Sequence, residues 1–390
     1  MDRNSQTIYK NLQNKSYKMN EIKVLEITCE PILFGGQEMF IMNIIRNIHN
    51  DKLNIDVLTP YYCNNKAYQQ EIEEQYGGKV YCLNKEFKAG GFRFNLFFAI
   101  KQFLKAHQYE VVHIHSGSVN ALSLAAFASK LSGVKKIILH SHSTGLKKTI
   151  SYKLSKFLSD IIVKKCATDF CACSVDAGKW KFPESVIDTK LNVINNGINL
   201  ERFCFQKEIR DKVRSQLKIQ ENDLCIGHVG RFSVVKNHKF LLDLFKKVKS
   251  EHPNSKLLLV GDGELRTEIE TQIKHLEIGE SVILTGEVTN VTDYMQAMDV
   301  FVFPSLWEGL PIVGIEAQAT GLPIIASDKI TKDMDVTGIV KYLPLDNNDE
   351  WINEVIQTKE YIRESKTSEI RDHGYDVRQL GVVMEKIYTR

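Results

Sequence analysis

The sequence predicts an α/β protein with two successive parallel-sheet domains. Short apolar, β-branched segments alternate with stretches whose apolar residues recur at helical spacing, and this alternation favours parallel sheets with right-handed crossovers. A turn signal at 195–197, Asn-Asn-Gly, interrupts the alternation, which then starts again. At 390 residues the chain is also too long for one ordinary core. We therefore expect two Rossmann-like domains facing each other across a cleft, where ligand sites commonly form.

The first predicted domain, 21–198, follows a polar extension at 1–20. Its strands are short apolar runs at 21–29, 55–58, 79–83, 111–115, 136–140 and 169–173. Helices are predicted between them, near 37–48, 94–107, 119–132 and 149–166. The extension lacks the apolar core of a signal peptide, so we expect a cytoplasmic protein.

The second predicted domain, 199–366, repeats this alternation after the turn signal. Its strands are predicted at 224–229, 257–260, 282–285, 300–303, 323–326 and 340–343, with helices between them. The last segment, 367–390, is predicted to be a helix that packs back on the first domain.

The composition describes an ordinary globular protein. Hydrophobic residues make up 43% of the chain and charged residues 25%, and no stretch is apolar enough to span a membrane. A net charge of +3 is too small to indicate a nucleic-acid partner. The eight cysteines lack the paired spacing of a zinc site, and we interpret Cys166, Cys171 and Cys173 as packing residues in a reducing compartment.

Two carboxylates stand out in the apolar segment 299–328. It is predicted as a buried strand, a loop, a helix that begins at Pro311 and ends at Gly321, and a second strand. Glu308 falls in the loop and Glu316 inside the helix. Ligands of open α/β sheets bind at the carboxyl ends of strands, and helix N-termini there attract anions. The alternative is that Glu308 caps the helix and Glu316 is solvated.

A second predicted strand end carries cations. Arg231 and Lys236 follow Gly230, and such a pair suits a diphosphate, although solvated basic residues are the plain alternative. The stretch from Gly261 to Glu264 superficially resembles a dinucleotide fingerprint but lacks its third glycine. Gly35 and Gly36 form a loop before the first helix, where a backbone can approach a ligand closely; alone this signal equally fits a plain turn.

Histidines form a third group, at the ends of two strands of the first domain. His113 and His115 close one strand, and His140 and His142 close the next. We expect the two members of each pair to alternate across their strand, so that His113 and His140 are core residues and His142 is better placed to meet a ligand. Zinc is an alternative that no neighbouring ligand pattern supports, and no metal is expected.

These features together resemble the retaining GT-B glycosyltransferases of family 4, over about residues 21–345. The phrases that carry the resemblance are VINNGINLERF, VGRFSVVKNH, LVGDGEL and FPSLWEGLPIVGIEAQATGLP, in the order usual for the family, and they most resemble exopolysaccharide and capsule enzymes of bacteria. Asn195 and Asn199 depart from the family's usual His and Asp; they lie near the predicted hinge.

The resemblance implies a role for each candidate residue. Arg231 and Lys236, with backbone groups around Gly309, Leu310 and Pro311, would hold the donor diphosphate, which Gly35 and Gly36 would border from the first domain. Glu316 would bind the ribose. Glu308 would contact the donor sugar or help set the loop, and His142 (His140 is the alternative) would lie beside the donor sugar; Glu308 and His142 are the expected catalytic residues. In the family mechanism a donor phosphate oxygen takes the acceptor's proton, without a metal, a cofactor or a covalent intermediate.

The function that the resemblance implies is transfer of a sugar from a nucleotide-sugar, expected to be a UDP-sugar, to a lipid-linked saccharide acceptor in bacterial surface polysaccharide biosynthesis. The alternatives are a nucleotide-sugar epimerase on the same architecture and a non-catalytic nucleotide-sugar-binding partner. The lysine-rich stretch 146–165 and the aromatic stretch 87–107 suggest peripheral association with the inner face of an anionic membrane, against the alternative of a solvated outer helix.

Overall fold

The chain divides into two compact α/β units. The structure, a computed structural model, describes residues 21–33, 35–88, 93–143 and 150–390, so the predicted extension at 1–20 lies outside the described residues. The first unit comprises Met1–Gly197 and Val377–Arg390, and the second comprises Ile198–Asp376.

The first unit is built on a seven-stranded parallel sheet with the order β3-β2-β1-β4-β5-β6-β7. Its strands are β1 (Ile22–Thr28), β2 (Leu53–Thr59), β3 (Val80–Cys82), β4 (Val111–His115), β5 (Lys136–Ser141), β6 (Asp169–Ala172) and β7 (Leu191–Val193). The sequence missed β7, because this edge strand is short and its residues are only partly buried, so no apolar run marks it.

The helices of this unit are α1 (Gly36–Asn47), α2 (Lys66–Gln75), α3 (Phe94–Ala106), α4 (Val119–Leu131), α5 (Ile150–Cys166), α6 (Val175–Lys181), α7 (Glu184–Lys190) and the C-terminal α15 (Val377–Thr389). Helix α15 packs on α1 so closely that a Cβ atom on Gly381 would lie 2.0 Å from the backbone oxygen of Asn47. Only glycine permits this approach of two helix backbones.

The second unit is built on a six-stranded parallel sheet with the order β10-β9-β8-β11-β12-β13. Its strands are β8 (Leu224–Val229), β9 (Ser255–Val260), β10 (Val282–Leu284), β11 (Val300–Phe303), β12 (Ile324–Ser327) and β13 (Val340–Leu343). Strand β11 is central and buried on both faces: Phe301 and Phe303 pack in one hydrophobic cluster, and Val300 and Val302 in another. That burial explains why its sequence is a continuous apolar run.

The helices of the second unit are α8 (Lys207–Gln216), α9 (His238–Glu251), α10 (Arg266–His275), α11 (Val291–Ala297), α12 (Ile312–Ala319), α13 (Asn348–Gln357) and α14 (Thr367–Asp372). The predicted single helix over 367–390 is therefore wrong. It is two helices, α14 and α15, and they belong to different units. Gly374, with a φ of +79°, lies in the break between them, where a residue without a side chain continues the chain at little cost.

Helix α12 confirms the predicted end at Gly321 and corrects the predicted start. Gly321 has a φ of +68°, and the amide groups of Gly321 and Leu322 donate to the oxygens of Gln318 and Ala317, which is a Schellman ending. Pro311, predicted as the first helical residue, instead precedes the helix with an extended backbone (φ −76°, ψ 114°).

No helix among the described residues is long and apolar enough to cross a membrane.

Candidate functional site

In the second unit, two loops meet at the carboxyl edge of the sheet, beside the switch in strand order between β8 and β11. The loop after β8 and the loop after β11 are tied together by backbone and side-chain hydrogen bonds. Leu306 N donates to Val235 O at 2.8 Å, and Asn237 Nδ2 donates to Pro304 O at 3.2 Å. A switch point is where open α/β sheets leave a crevice for a ligand, so these loops form the first candidate site.

Lys236 is the centre of this site. Its Nζ lies 2.7 Å from Glu308 Oε1 and 4.8 Å from the centroid of the Phe303 ring. The Lys236 and Glu308 side chains are only 16% and 17% exposed, and Ser305 Oγ donates a further hydrogen bond of 3.2 Å to Glu308 Oε1. A Cβ atom on Gly230 would lie 3.0 Å from Lys236 Cε, so a glycine there leaves room for the lysine stem. The structure thus brings together Lys236, predicted to bind the diphosphate, and Glu308, predicted to contact the donor sugar.

Arg231, the other predicted diphosphate ligand, has a different partner. Its side chain is 76% exposed, and its Nε donates to Glu264 Oε2 at 2.9 Å. An exposed pair of this kind contributes little to stability and can open at low cost. The guanidinium group is therefore available to an incoming anion.

Two glycines in the stretch Gly261–Glu264 pack against the loop that carries Arg231 and Lys236. Gly261 has a φ of +133°, and a Cβ atom there would lie 2.2 Å from Gly230 O. A Cβ atom on Gly263 would lie 2.5 Å from Phe232 O. These glycines let one loop backbone pack against the next, which is a structural reason for a motif that resembles a dinucleotide fingerprint.

Glu316, on α12, is the second feature of the site. Its side chain is partly buried, and no other described residue forms a hydrogen bond or an ion pair with its carboxyl group. Burial raises the pKa of Glu316 from 4.5 to about 7. A partly desolvated carboxyl group without a partner in the protein is stabilised by a ligand that donates hydrogen bonds to it.

The start of α12 also lies in this loop. Gly309 and Leu310 lead into it, and Glu308 bridges to Ile330 in parallel fashion. No described side chain caps the helix, so its first amide groups are free to bind an anion.

In the first unit, Gly35 and Gly36 begin α1. A Cβ atom on Gly36 would meet no described atom within 4 Å, so its surface is open. Gly35 is exposed as well, but Glu38 lies beside it. Glu38 Oε2 would lie 2.7 Å from a Cβ atom on Gly35, and Glu38 Oε1 accepts a hydrogen bond from Leu33 N at 3.2 Å. Both predicted glycines are therefore accessible, and only Gly35 has a carboxylate beside it.

The four histidines form one cluster, and the predicted alternation within each pair is wrong. His113 and His115 both contact the buried Glu26, with their ring nitrogens 3.1 and 2.5 Å from its Oε2. His140 and His142 stack with ring centroids 4.4 Å apart and an interplanar angle of 7°. Residues two apart on a strand point to the same face, which is the physical reason for both pairings.

Sequence reasoning missed Glu26, although an acidic residue in the middle of an apolar strand was a usable signal. The structure brings nitrogens of His113, His115 and His140 within 4.8 Å of one another, which is close enough for metal ligation. However, both ring nitrogens of His113 and both of His115 already have hydrogen-bond partners. A metal ion would have to displace them.

Comparison with known proteins agrees with this architecture. The chain matches Glycosyltransferase Family 4 over residues 34–202 and Glycosyl transferases group 1 over residues 209–338. It is 33% identical over 369 residues to the putative glycosyltransferase EpsF of Bacillus subtilis, which is 91% of this chain and 93% of that protein. It is 26% identical over 319 residues to an Escherichia coli galactosyltransferase named UDP-Gal:alpha-D-GlcNAc-diphosphoundecaprenol alpha-1,3-galactosyltransferase, covering 79% of this chain and 80% of that protein.

Among solved structures, HepE of Anabaena in complex with UDP matches with a TM-score of 0.74 at 18% identity, covering 94% of this chain and 99% of that one. The lipopolysaccharide outer core galactosyltransferase WaaB matches with a TM-score of 0.65, also at 18% identity, covering 94% of this chain and 99% of that chain. The predicted fold class is confirmed. The chain belongs to the family 4, group 1 glycosyltransferases, which are retaining, metal-independent transferases of the GT-B fold.

Proposed function

We propose that this glycosyltransferase moves a sugar from a UDP-sugar to a lipid-linked saccharide acceptor in the synthesis of a bacterial surface polysaccharide. Three relatives support the parts of this proposal by what their names state. HepE binds UDP, the Escherichia coli enzyme uses UDP-galactose and a diphosphoundecaprenol acceptor, and a further relative, 27% identical over 290 residues, is a protein of the Klebsiella pneumoniae cps region.

The observation that carries the donor assignment is the contact between Lys236 and Glu308 in the loop before the uncapped start of α12, together with the unpartnered carboxyl group of Glu316 about one turn into that helix. We assign the diphosphate to Lys236, Arg231 and the amide groups from Gly309 to the first turn of α12. Pro311 has no amide hydrogen, so it shapes this turn without donating. The unpartnered carboxyl group of Glu316 suits the two hydroxyl groups of a ribose, which are hydrogen-bond donors.

The Lys236–Glu308 pair has a defined use in this scheme. A diphosphate that approaches Lys236 would share the cation with Glu308, and the carboxylate would then be free to accept hydrogen bonds from donor-sugar hydroxyls. Negative charge grows on the diphosphate as the glycosidic bond breaks, and a preorganised cation stabilises it most at that point. On the first unit, we assign Gly35 and Gly36 to the phosphates and His142 to the donor sugar, from the family pattern.

No single contact accounts for the catalysis. A helix end contributes about 0.3–1 kcal/mol and a charged hydrogen bond about 1.5–3 kcal/mol, whereas a 10⁶-fold acceleration requires about 8 kcal/mol. The cations, the helix start and the orientation of the acceptor must act together.

The test is a panel of UDP-, GDP- and ADP-sugars, with nucleotide release measured with and without a diphosphoundecaprenol-linked saccharide. We expect release only from UDP-sugars and only with the acceptor. Lys236→Ala and Glu316→Ala should each lower kcat/KM at least 100-fold, whereas Lys274→Ala, an exposed lysine on α10, should not change it. Wild-type rates in both site variants would refute the assignment. Sugar isomerisation without an acceptor would indicate the epimerase alternative.

Features of helix α5 support the proposal that the enzyme meets its lipid-linked acceptor at a membrane surface. Leu154, Phe157, Leu158 and Ile161 recur at helical spacing on this helix, and their exposed fractions are 63, 65, 47 and 44%. Lys153, Lys164 and Lys165 are exposed beside them. An exposed apolar stripe flanked by lysines is the composition of a helix that lies on an anionic lipid surface. Two further lysines of the stretch predicted to contact the membrane, at 147 and 148, lie outside the described residues.

Helix α4 packs against both α5 and α3. On α3, Phe94 and Phe98 are 58% and 65% exposed. We therefore propose that this side of the first unit rests on the membrane. Phe157→Glu should weaken binding to vesicles of anionic lipid at low salt, where attraction between charges is screened least. Ile362→Glu, at an 82% exposed apolar residue of the second unit, is the control. Equal binding of both variants and the wild type would refute the assignment of this surface.

A further inference from the structure

Glu26 is a fully buried carboxylate to which three side chains of the first unit donate. His113 Nδ1 and His115 Nε2 lie 3.1 and 2.5 Å from its Oε2, and Tyr388 donates its hydroxyl hydrogen to Oε1. Burial alone would raise the pKa of Glu26, but its electrostatic interactions and hydrogen bonds with the His113 and His115 rings outweigh burial and hold that pKa well below its usual range. Glu26 is therefore ionised and can only accept hydrogen bonds.

Two hydrogen-bond chains lead away from this carboxylate. In one, His113 Nε2 lies 3.2 Å from His140 Nδ1. In the other, His115 Nδ1 lies 2.8 Å from His142 Nε2. The last atoms of the two chains, His140 Nε2 and His142 Nδ1, are buried and have no hydrogen-bond partner among the described residues.

The proton positions along the chain through His115 follow from the carboxylate at its origin. A neutral imidazole has one N–H donor and one acceptor nitrogen. Because Glu26 accepts from His115 Nε2–H, Nδ1 of the neutral His115 ring must be an acceptor. His142 must then donate from Nε2 to His115 Nδ1. This chain therefore ends in a lone pair on His142 Nδ1.

Burial keeps His115, His140 and His142 neutral. Burial lowers the pKa of His115 to about 4 and lowers the pKa of His140 and of His142 well below the usual range. The ring of Phe40, from α1, stands edge-on to His140 and His142 with centroids 4.5 and 5.1 Å away, and it holds the stacked pair in place.

We propose that Glu26 acts through His115 as a positioning residue that fixes His142 as its Nε2–H tautomer, so that Nδ1 presents a lone pair to a sugar hydroxyl group. The inference rests on the proposed role of His142 at the donor sugar. The ligand class is a hydrogen-bond donor without charge, because a lone pair in a buried, neutral ring attracts a hydroxyl hydrogen and offers nothing to a phosphate.

His113 and His115 are both fully buried on the same strand, so they provide a matched pair of variants. The amide nitrogen of glutamine overlays Nε2 of histidine, so His115→Gln keeps the bond to Glu26 and removes the link to His142. The amide nitrogen of asparagine overlays Nδ1, so His113→Asn keeps the bond to Glu26 and removes the link to His140. Both changes remove one ring from the same strand, and only the first interrupts the chain to His142.

The experiment combines ¹⁵N NMR of histidine-labelled full-length protein with transfer kinetics. We expect His142, assigned by loss of its signals in His142→Ala, to be protonated at Nε2 only, and His115→Gln to mix its tautomers. In kinetics, His115→Gln should lower kcat/KM for the donor about 10-fold, which is the effect of one hydrogen bond, and His113→Asn less than 2-fold. In the His142→Ala background, His115→Gln should have no further effect, because the two residues act in one chain.

Several outcomes would overturn the inference. Protonation of His142 at Nδ1 in the wild type contradicts it even if no buried variant folds. Equal losses in His115→Gln and His113→Asn indicate packing alone. Tight binding of Zn²⁺ that both variants abolish identifies a metal site instead. If His142→Ala transfers sugar at the wild-type rate, the proposed contact between His142 and the sugar is wrong. The NMR measurement of the His142 tautomer still tests whether Glu26 acts on His142 through His115.

Discussion

Replacing Glu316 by glutamine should stabilise the second unit at alkaline pH. In the folded protein, burial raises the pKa of Glu316 from 4.5 to about 7, so the native state favours the protonated carboxyl group more than the unfolded chain does. At about 1.4 kcal/mol per pH unit, this difference corresponds to about 3 kcal/mol. Below pH 4.5 both states are protonated and nothing is lost; the cost grows between pH 4.5 and 7 and is constant above. Glutamine has the same shape and never ionises, so it avoids this cost.

The assay is urea unfolding followed by tryptophan fluorescence. A Trp180→Phe background leaves only Trp307 and Trp351 of the three tryptophans, and both belong to the second unit. We expect Glu316→Gln to raise the free energy of unfolding by about 3 kcal/mol at pH 8 and by nearly nothing at pH 4.5. Glu360→Gln, at an exposed residue of the same unit, is the control and should change neither value by more than about 0.5 kcal/mol.

Two results would refute the reasoning: no stabilisation at pH 8, or the same stabilisation at both pH values. Saturating UDP gives a further check, because the proposed ribose contacts satisfy the carboxylate. The advantage of the glutamine variant should shrink when UDP is bound, since the ligand then stabilises the wild type more strongly than the variant.

Three further predictions concern the two units separately. Gly321→Ala should destabilise the second unit by more than about 1 kcal/mol in urea unfolding, because φ is +68° and the new Cβ would lie 1.8 Å from Glu364 O. Gly381→Ala should cost the first unit about 1–3 kcal/mol, reported by Trp180 fluorescence, because the new Cβ would collide with Asn47 O. Acid should also destabilise the first unit: burial lowers the pKa of His115 to about 4, so stability is full above pH 6.5 and is lost as pH falls from 6.5 towards 4, which unfolding at pH 7.5 and 5 measures. Equal free energies of unfolding at these two pH values would contradict the lowered pKa of His115.

The strands and the local shape of the site were predictable because their causes are local. A parallel strand covered on both faces is a mostly apolar run, which is why β4, β8 and β11, all fully buried, begin and end as predicted. Glu316 lies inside its helix and Gly321 ends it for equally local reasons, namely helical spacing and a left-handed backbone. The edge strand β7 was missed because nothing covers it enough to leave such a signal.

The sequence by itself determined the α/β class, most of the strands and the family motifs, because each depends on residues within a few positions of one another. Only the tertiary structure decided the partners. Lys236 meets Glu308 across 72 positions of sequence, and Tyr388 reaches Glu26 across 362. Such pairings depend on the strand order and on which face of a strand a side chain occupies, and no local pattern specifies the strand order. The same holds for Glu316: its place on a helix was predictable, but its raised pKa depends on the burial that the assembled sheet and loops impose.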